Sequence, residues 1–264
     1  MGSHERVMSD ISINSSKVSV IVPVYNAARF LGATIESVLQ QTHKNLELLL
    51  VIDVNSKDQS ETIATEFSKK DPRVKVVKSP LAKGAAANRN IGVDQAKGEF
   101  MAFVDADDLW LPPKLEEQLR LMQSKNANFS FTAFTRISET GDAFGSTLEV
   151  PDTVSYEQLL RDNVVGTLTA MVRRSKYPNL RFSEVGWEDM AAWLSILKTG
   201  DLGYGLNKPL SYYRIVKGSR SNNKFFAARL RWDTLRKVEG LSLARSTVLF
   251  ALYAARGAFK HMRF

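Results

Sequence analysis

The feature that most constrains the fold is an alternation of short apolar runs with segments of helical period over the first half of the chain. Four runs rich in Val, Ile, Leu and Phe have the length of buried strands: residues 18–22, 46–52, 74–77 and 100–104. Segments of helical period follow the first three runs, at residues 28–41, 60–70 and 84–96. This alternation predicts right-handed crossovers and therefore a mostly parallel sheet with helices on both faces.

The later segments extend the pattern to about residue 216. A helix is predicted at 114–125 after a Pro-Pro pair, and residues 129–135 alternate like a half-buried strand before a polar loop at 138–147. Three more elements are predicted: a helix at 156–161, a strand near 167–172 and a helix at 187–198. The chain has 264 residues, 44% of them hydrophobic, which is enough for one large core. We therefore predict one α/β domain over residues 17–216.

The two ends of the chain differ from this domain. Residues 1–16 contain no apolar run of the length found in a secretory signal, and we expect a disordered N-terminus whose opening MGSH resembles the remnant of an expression tag. Residues 217–264 are expected to form a helical extension. No run of 18 apolar residues occurs anywhere, which excludes a membrane-spanning helix.

The charge of the chain is concentrated in its C-terminal extension. The formal net charge is +8, but from Lys217 onward there are 11 basic and 2 acidic residues, whereas residues 1–216 hold 25 basic and 26 acidic ones. Because the predicted domain is neutral and no nucleic-acid-binding module accompanies the basic tail, nucleic acid is not expected as a partner.

Cysteine is absent and histidine is rare, which limits the possible chemistry. A disulfide scaffold, a thiolate metal site and a cysteine nucleophile are excluded, and the composition is compatible with a reducing compartment. Only three histidines are present, and two of them, His4 and His261, lie near the ends of the chain. A multi-histidine metal site is therefore not expected.

Acidic residues cluster after the predicted strands and at one helix start. In open α/β sheets, ligands bind at the carboxyl ends of the strands. One cluster begins at Asp53 and, taken alone, is better explained as a polar turn that caps the next helix through Asp58 or Ser60. The other two are the run 105–108 and the pair 188–189, and the pair would also be favoured by the helix dipole alone.

The second cluster has the composition of a divalent-cation site. Asp105, Asp107 and Asp108 place three carboxylates in four residues, and their mutual repulsion requires a cation or several hydrogen-bond donors. Oxygen ligands of this kind suit Mg²⁺ or Mn²⁺, which usually bind one or two carboxylates together with substrate phosphates. The alternative is a solvated loop that caps the following helix.

Five blocks of the chain, taken in order, resemble the inverting family 2 glycosyltransferases of GT-A fold. The resemblance extends from Lys17 to about Ser221. The blocks are KVSVIVPVYNAARFL, SVLQQTHKNLELLLVIDVNSKDQS, KGAAANRNIGVDQAKGEFMAFVDADDLWLPPKL, WEDMAAWLSILKTG and LSYYRIVKGSRSNN. A DxD motif alone is common by chance, whereas five blocks at the usual order and spacing are specific.

The resemblance assigns roles to the acidic residues. It implies Asp107 as the principal metal ligand, with Asp105 towards the ribose and the metal and Asp108 in support. It also implies Asp189 as the base that deprotonates the acceptor hydroxyl, and Glu188 as the residue that positions this base or the acceptor. An inverting displacement requires no covalent nucleophile.

The resemblance also implies which residues bind the nucleotide sugar. Pro23, Tyr25 and Asn26 match the turn beneath the nucleobase, where an aromatic face can stack. Asp53 matches the acidic turn, and Arg89 matches a nucleotide-contacting arginine. Arg214, Ser219 and Arg220 match a mobile segment that closes over the pyrophosphate.

One position departs from the family pattern. The acidic turn usually has two adjacent aspartates, whereas this chain has Asp53 followed by Val54. We expect the second carboxylate's hydrogen bond to the base to be missing. A UDP-sugar is the default donor, and dTDP- and GDP-sugars remain alternatives.

The tail has the pattern of a helix that lies on an anionic membrane surface. Arg245, Arg256, Lys260 and Arg263 fall within about 60° on a helical wheel. A strip of apolar residues lies beside them: Val248, Ala251, Ala255, Phe259 and Met262. The pattern predicts peripheral binding to anionic membrane through residues 224–264. The alternative is a helix packed on the domain with a solvated charged face.

These expectations combine into one functional hypothesis and two alternatives. The hypothesis is a metal-dependent inverting glycosyltransferase, cytoplasmic and peripheral on the inner face of the plasma membrane, that adds one sugar to a glycan or lipid-linked acceptor of a surface polysaccharide. One alternative is a sugar nucleotidyltransferase, although no Gly-rich basic loop follows the first strand. The other is a nucleotide-sugar-binding membrane scaffold with little activity, which the intact Asp105, Asp107 and Asp189 argue against.

Overall fold

The predicted alternation of strands and helices is present in the computed structural model, which describes residues 15–80, 84–142, 147–216 and 224–261. The strands in these residues are β1 (Val18–Val24), β2 (Leu46–Ile52), β3 (Val74–Lys78), β4 (Phe100–Phe103), β5 (Leu109–Trp110), β6 (Phe129–Ile137), β7 (Thr153–Val154), β8 (Met171–Arg173) and β9 (Gly203–Arg214). The α-helices are α1 (Ala28–Leu39), α2 (Ser60–Lys70), α3 (Gly84–Gln95), α4 (Lys114–Ser124), α5 (Tyr156–Arg161), α6 (Glu188–Leu197), α7 (Lys224–Asp233) and α8 (Leu243–His261).

All these strands belong to one sheet with the order β3-β2-β1-β4-β8-β6-β9-β5, in which β7 also pairs with β9. The half β3-β2-β1-β4 is parallel throughout. Strand β8 is antiparallel to both β4 and β6, and β9 is parallel to β6 but antiparallel to β5 and β7. The chain builds outward from β1 to β3 and then returns to place β4 on the other side of β1. The crevice between the carboxyl ends of β1 and β4 is therefore the topological switch point, where open α/β sheets bind ligands.

The core lies on both faces of the sheet, as the apolar runs predict. Alternate residues of β1 enter different clusters, with Ile21 in one and Val20 and Val22 in the other. The first cluster contains residues of α3 and α6, and the second contains residues of α1, α2 and α4. Helices cover both faces, which confirms the predicted class of a mostly parallel α/β sheet.

The structure differs from the sequence-based expectations in two elements. The strand expected near 167–172 is a 3₁₀ turn, Thr167–Thr169, followed by the short β8. In a longer strand, the backbone carbonyls of this segment would accept hydrogen bonds from a neighbouring strand. Here they accept from side chains instead: Trp110 Nε1 donates to Leu168 O, and Gln118 Nε2 donates to Thr169 O. The twelve-residue β9 was not predicted, since its glycines and Pro209 interrupt the alternating pattern.

The C-terminal extension packs on the sheet domain. After α7 the chain forms a π-helical turn, Thr234–Val238, and Gly240 with φ +65° lies between this turn and α8. Leu235, Leu241 and Leu249 belong to the same core cluster as residues of the sheet. Within the described ranges, no helix combines the length and the apolar character needed to cross a membrane.

Candidate active site

The loops after β1, β2 and β4 surround two adjoining cavities at the switch point. The first cavity has a volume of about 460 Å³ and the second of about 410 Å³. Pro23, Tyr25 and Ala85 line both of them, so the two cavities form one continuous cleft. The structure thus places the predicted turn Pro23–Asn26 in the middle of the cleft.

The first cavity presents amide and carboxylate groups. Asp53 is 3% exposed, and its carboxylate accepts hydrogen bonds from Asn55 N at 2.9 Å and from Asn88 Nδ2 at 3.1 Å. Asn88 is buried at the wall of the cavity, and its Oδ1 has no hydrogen-bond partner among the described residues. A buried amide oxygen left unpaired costs free energy, which a donor on a ligand would recover. Sequence reasoning missed Asn88, and its place one residue before Arg89 on α3 was the available signal.

The turn after β1 is held to the turn after β2 through Asn26. Asn26 has φ +46°, a left-handed conformation that asparagine adopts more readily than most residues. Its Oδ1 accepts from Lys57 N at 2.9 Å, and its own N donates to Ser56 Oγ at 2.9 Å. Tyr25 remains 57% exposed on the cleft and offers an aromatic face. Asn26 therefore shapes the turn, and Tyr25 is free to contact a ligand.

Val54 does not line the first cavity. Its side chain is 60% exposed and is not among the residues that line the cavity, whereas its neighbours Asp53 and Asn55 are. The missing base contact at this position therefore stays a prediction. The capping role lies with Asp58, whose carboxylate accepts from Ala28 N at 2.8 Å and from Ser60 N at 3.0 Å at the starts of α1 and α2.

Arg89 forms the floor of the second cavity and joins two acidic clusters. Its side chain is 4% exposed, and the guanidinium forms ion pairs with Asp105 through Nη2 and with Glu188 through Nη1. Burial alone would lower the pKa of Arg89, but the charges of Asp105 and Glu188 outweigh it and raise that pKa. Arg89 therefore draws the loop after β4 and the start of α6 to the same cavity.

The three aspartates after β4 occupy different environments. Asp105 and Asp107 line the second cavity. Burial and the charge of Asp105 raise the pKa of Asp107 to about 6. Asp108 is 1% exposed, does not line the cavity, and accepts a hydrogen bond from Arg214 N at 2.9 Å. Burial and the charges of Asp107 and Asp105 raise the pKa of Asp108 well above its usual range. Asp108 therefore supports the conformation of the loop after β4, in contrast to the expected support of a metal ion in the cavity.

The second cavity fits a divalent cation only in partnership with a substrate. In the part of the chain that the structure describes, no three acidic or histidine side chains converge closely enough to hold a metal by themselves. Asp105 and Asp107 face the same space, and burial together with the charge of Asp105 raises the pKa of Asp107, so a bound cation would favour its ionised form. Two carboxylates with the remaining ligands from phosphates are a usual Mg²⁺ or Mn²⁺ set.

Arg214 is anchored in the wall of the second cavity. Its Nε donates to Asp107 O at 2.8 Å and its Nη1 to Glu139 O at 3.1 Å, and the guanidinium lies 4.8 Å from the ring centroid of Phe30. These contacts place Arg214 on the cavity as predicted but fix it, in contrast to the mobile segment that was expected. Ser219 and Arg220 lie outside the described residues.

Asp189 lies at the start of α6, next to Glu188. Its Oδ2 accepts from Thr167 Oγ1 at 3.1 Å and its Oδ1 from Met190 N at 2.6 Å. Burial and the nearby charge of Glu188 raise the pKa of Asp189 to about 6 in spite of these donors. A carboxylate with a pKa near neutrality is suited to general base catalysis. The pKa of Asp189 thus suits the role of a base, which stays a prediction.

A third cavity of about 330 Å³ adjoins the pair 188–189. Its lining includes Asp189 and Glu188, and Glu188 also lines the second cavity. The opposite wall comes from α7, through Phe226, Ala227 and Leu230. The sequence patterns gave no indication of this cavity, because its walls are far apart along the chain.

Comparisons with known proteins show which family the chain resembles. The family model described as Glycosyl transferase family 2 matches residues 19–178. TuaG of Bacillus subtilis strain 168, which carries the name of a teichuronic acid biosynthesis glycosyltransferase, is 36% identical over 93% of this chain and 97% of its own length. WfgD of Escherichia coli, named as a UDP-Glc:α-D-GlcNAc-diphosphoundecaprenol β-1,3-glucosyltransferase, is 36% identical over 92% of this chain and 94% of its own length.

Solved structures of glycosyltransferases share the fold. S. aureus TarS residues 1–349 in complex with UDP superposes with a TM-score of 0.67 at 20% identity, over 94% of this chain and 72% of that one. The mannosyltransferase PcManGT of Pyrobaculum calidifontis, in complex with GDP-Man and Mn²⁺, gives a TM-score of 0.69 at 17% identity, over 90% and 69% of the two chains. These likenesses confirm the predicted GT-A fold.

Proposed function

Because the chain belongs to glycosyl transferase family 2 and is a glycosyltransferase, we propose that it moves one sugar, with inversion, from a nucleoside-diphosphate sugar to a lipid-linked glycan. The names of TuaG and WfgD support a role in the biosynthesis of a surface polysaccharide. A UDP-sugar is the proposed donor, which agrees with the donor in the name of WfgD and with the UDP bound by TarS.

The observation that carries the proposal is the bridge made by Arg89. By binding Asp105 and Glu188, it places the DxD loop and the start of α6 on one cavity, next to the cavity that holds Asp53 and Asn88. A donor with its base in the first cavity would have its diphosphate beside Asp105 and Asp107. Its anomeric carbon would then lie towards Glu188 and Asp189.

This geometry supports a single displacement. The Asp189 carboxylate accepts the proton of the acceptor hydroxyl, the hydroxyl oxygen bonds to the anomeric carbon, and the bond from that carbon to the diphosphate oxygen breaks. The nucleoside diphosphate leaves with the bonding electrons. Asp107, with Asp105, would hold Mg²⁺ or Mn²⁺, which when bound stabilises the charge of the leaving diphosphate.

The direct test is sugar transfer to a soluble acceptor, an alkyl diphosphate of α-GlcNAc, assayed with UDP-glucose, UDP-galactose and UDP-GlcNAc in the presence of Mn²⁺. We expect transfer from at least one donor and a β-linked product by NMR. Asp189→Asn and Asp107→Asn should each lower kcat by a factor of about 10²–10⁴. Asp152→Asn, at an exposed aspartate outside the three cavities, is the matched control. An α-linked product, or full activity of Asp189→Asn, would contradict the mechanism.

We further propose that the enzyme binds the inner face of the plasma membrane through α8. One face of this helix packs on the domain through Ser246, Leu249, Phe250 and Tyr253, whereas the opposite face exposes Val248, Ala251, Leu252 and Ala255. One face of α8 therefore fits the expected packing on the domain, and the opposite face is available for the expected contact with membrane. The side chains of residues 256–261 and all of residues 262–264, which include Arg256, Lys260 and Arg263, lie outside the described part.

The membrane proposal is tested by flotation with vesicles that contain anionic lipid. Leu252→Glu places a charge on the exposed strip and should release the enzyme from the vesicles. Leu243→Glu is the matched control, since Leu243 is also exposed, at 61%, but lies about 140° around the helix from Val248. Equal flotation of the two variants would overturn the proposal.

A further inference from the structure

Thr34 is a polar side chain on the apolar face of α1. The buried residues of this helix are Leu31, Thr34, Ile35 and Val38, and Thr34 is 0% exposed. A buried hydroxyl costs free energy unless it finds a hydrogen-bond acceptor. Inside a helix, threonine often donates to the carbonyl four residues earlier. Here that carbonyl, Phe30 O, lies 3.4 Å from Thr34 Oγ1, whereas two nearer acceptors belong to the loop after β4.

The two nearer acceptors are the backbone carbonyls of the residues on either side of Asp107. Thr34 Oγ1 lies 2.9 Å from Ala106 O and 2.9 Å from Asp108 O, so its one hydrogen is shared between them. The carbonyl between these two, Asp107 O, accepts from Arg214 Nε at 2.8 Å. Three successive carbonyls of the loop are therefore held by two side chains.

These contacts restrain the backbone of Asp107. A peptide unit is planar, so a donor that holds its carbonyl restrains the whole unit. The unit before the Asp107 Cα carries Ala106 O, which Thr34 binds, and the unit after it carries Asp107 O, which Arg214 binds. With both units held, the φ and ψ angles of Asp107 are set, and with them the direction of its side chain, which lines the second cavity.

The same side of α1 also holds the chain that leaves the loop. Ser37 Oγ accepts from Trp110 N at 3.2 Å, and Gln41 Nε2 donates to Leu111 O at 2.8 Å. Positions 34, 37 and 41 are spaced by three and four residues and therefore lie on one side of the helix. Thr34 is the member of this line that reaches the loop itself.

We propose that Thr34 is a positioning residue for the divalent cation of the second cavity. By holding the loop after β4, its hydroxyl keeps the Asp107 carboxylate turned towards the cavity before a cation binds. A ligand group that is ordered in advance loses less conformational entropy on binding, and groups that orient a metal ligand commonly change the affinity for the metal by about tenfold or more. The inference rests on the proposed metal-dependent transfer and adds which residue of α1 sets the affinity for the cation.

The experiment measures the binding of Mn²⁺ to the enzyme in the presence of UDP, by the loss of the electron paramagnetic resonance signal of free Mn²⁺. Thr34→Val has a similar shape but no donor, and it should raise the Kd for Mn²⁺ about tenfold. Thr34→Ser keeps the hydroxyl and should restore a Kd near that of the wild type. The affinity for UDP without Mn²⁺ should be equal in all three proteins, because the first cavity is intact.

Thr132→Val is the matched control. Thr132 is also 0% exposed, lies on β6, and its Oγ1 has no hydrogen-bond partner within the described ranges. The variant makes the same exchange in the core on a different element, so it should keep the wild-type Kd for Mn²⁺. An equal Kd in Thr34→Val and Thr132→Val, with Mn²⁺ bound by the wild type, would overturn the positioning role alone.

A further variant covers the possibility that Thr34→Val unfolds the protein. Thr34→Cys places a thiol, which is a weak donor, in the same space of a chain that has no other cysteine. Its Kd for Mn²⁺ should exceed that of the wild type while its thermal midpoint stays near wild type, and an unchanged Kd would contradict the positioning role. Absence of Mn²⁺ binding by the wild type in the presence of UDP would instead overturn the metal dependence on which the inference rests.

Discussion

Arg89 shows how one buried residue organises the site. Its two carboxylate partners come from different clusters, Asp105 after β4 and Glu188 at the start of α6. The family resemblance implies that this arginine contacts the nucleotide, whereas its guanidinium in the structure binds both acids. A positive charge between them reduces the repulsion that would otherwise separate the two carboxylates. We therefore regard Arg89 first as a residue that positions the acids.

Replacement of Arg89 should cost both stability and activity. We expect Arg89→Met to lower the free energy of unfolding by about 2–3 kcal/mol, below the value for fully buried pairs because the side chains of Asp105 and Glu188 are 33% and 35% exposed. The value of kcat should fall at the same time, since Glu188 loses its anchor. Urea denaturation and steady-state kinetics measure the two effects.

The control for Arg89 is a surface ion pair. Arg181 binds Asp94, and the two side chains are 49% and 55% exposed. Arg181→Met should change the free energy of unfolding by less than about 1 kcal/mol and leave kcat near wild type. If both arginine variants behave alike, the organising role of Arg89 is wrong.

Asp189 predicts the pH dependence of the reaction. Because the base must be ionised and the pKa of Asp189 is about 6, kcat should fall as the pH falls through 6. From pH 7 to pH 5 the ionised fraction drops about tenfold, and kcat at saturating donor and Mn²⁺ should follow it. Saturating Mn²⁺ keeps its carboxylate ligands ionised, so that the acidic limb reports Asp189.

Thr167 provides the test that this limb belongs to Asp189. Its hydroxyl donates to Asp189 Oδ2 and so stabilises the ionised form. Thr167→Val should raise the pKa of Asp189 and move the acidic limb of kcat to higher pH, whereas Thr65→Val, at an exposed position on α2, should leave the limb in place. A limb that stays near 6 in Thr167→Val would assign it to another group.

At the scale of single residues, chemistry was easier to predict than orientation. The residue types and spacing of Asp105 and Asp107 point to a cation, and the family resemblance implies Asp189 as a base; the structure places all three on the cavities. The opposite orientations of Asp107 and Asp108 depend on the path of the backbone after β4. That path is held by distant groups, among them Arg214 N, which no local pattern reveals.

At the scale of elements, prediction succeeded where the hydrophobic period was regular. Helices α2 and α5 begin and end at the predicted residues, and the parallel half of the sheet follows from the alternation of the first hundred residues. Strand β9 was missed because its conformation is set by close packing rather than by its own pattern. A Cβ on Gly205 would lie 1.9 Å from Pro151 O, so this glycine is required by a neighbouring chain segment.

The junction between α6 and the extension offers a test at the same scale. Gly186 has φ +77°, and a Cβ there would lie 2.4 Å from Thr234 Oγ1 and 2.9 Å from Thr234 N. Gly200 has φ +91° with nothing within 4 Å of its Cβ position. Both Gly→Ala variants carry the backbone penalty of about 1–2 kcal/mol, but Gly186→Ala adds a steric cost of about 1–3 kcal/mol.

The catalytic activity of the two glycine variants should also differ. Because Thr234 holds Trp187 N, displacement of Thr234 by Gly186→Ala should disturb the segment of Asp189 and lower kcat. Gly200→Ala should be less stable than wild type by the smaller amount, with kcat unchanged, as measured by urea denaturation and kinetics. Equal loss of stability and activity in both variants would show that the junction tolerates the added methyl group.

At the scale of the whole molecule, the three cavities form a series in which each shares lining residues with the next. The first and second cavities adjoin at the switch point of the sheet, and the third continues past Glu188 to the extension. The net charge of +8 has a corresponding division, because residues 1–216 are neutral and the surplus lies in the extension. In our proposal, the acids of the domain carry out the chemistry and the basic extension brings the enzyme to its acceptor at the membrane.

This series predicts how ligands stabilise the folded enzyme. A ligand at 100 times its Kd adds about 2.7 kcal/mol to the stability, which for a chain of this size corresponds to a rise in Tm of about 5–10 °C. UDP with Mn²⁺ should reach this range, UDP alone should give a smaller shift, and GDP with Mn²⁺ a smaller one still. In Asp107→Asn the additional shift from Mn²⁺ should disappear while the shift from UDP alone persists, because the first cavity is intact. A wild-type Tm in UDP that Mn²⁺ does not raise would contradict a cation held between Asp107 and the diphosphate.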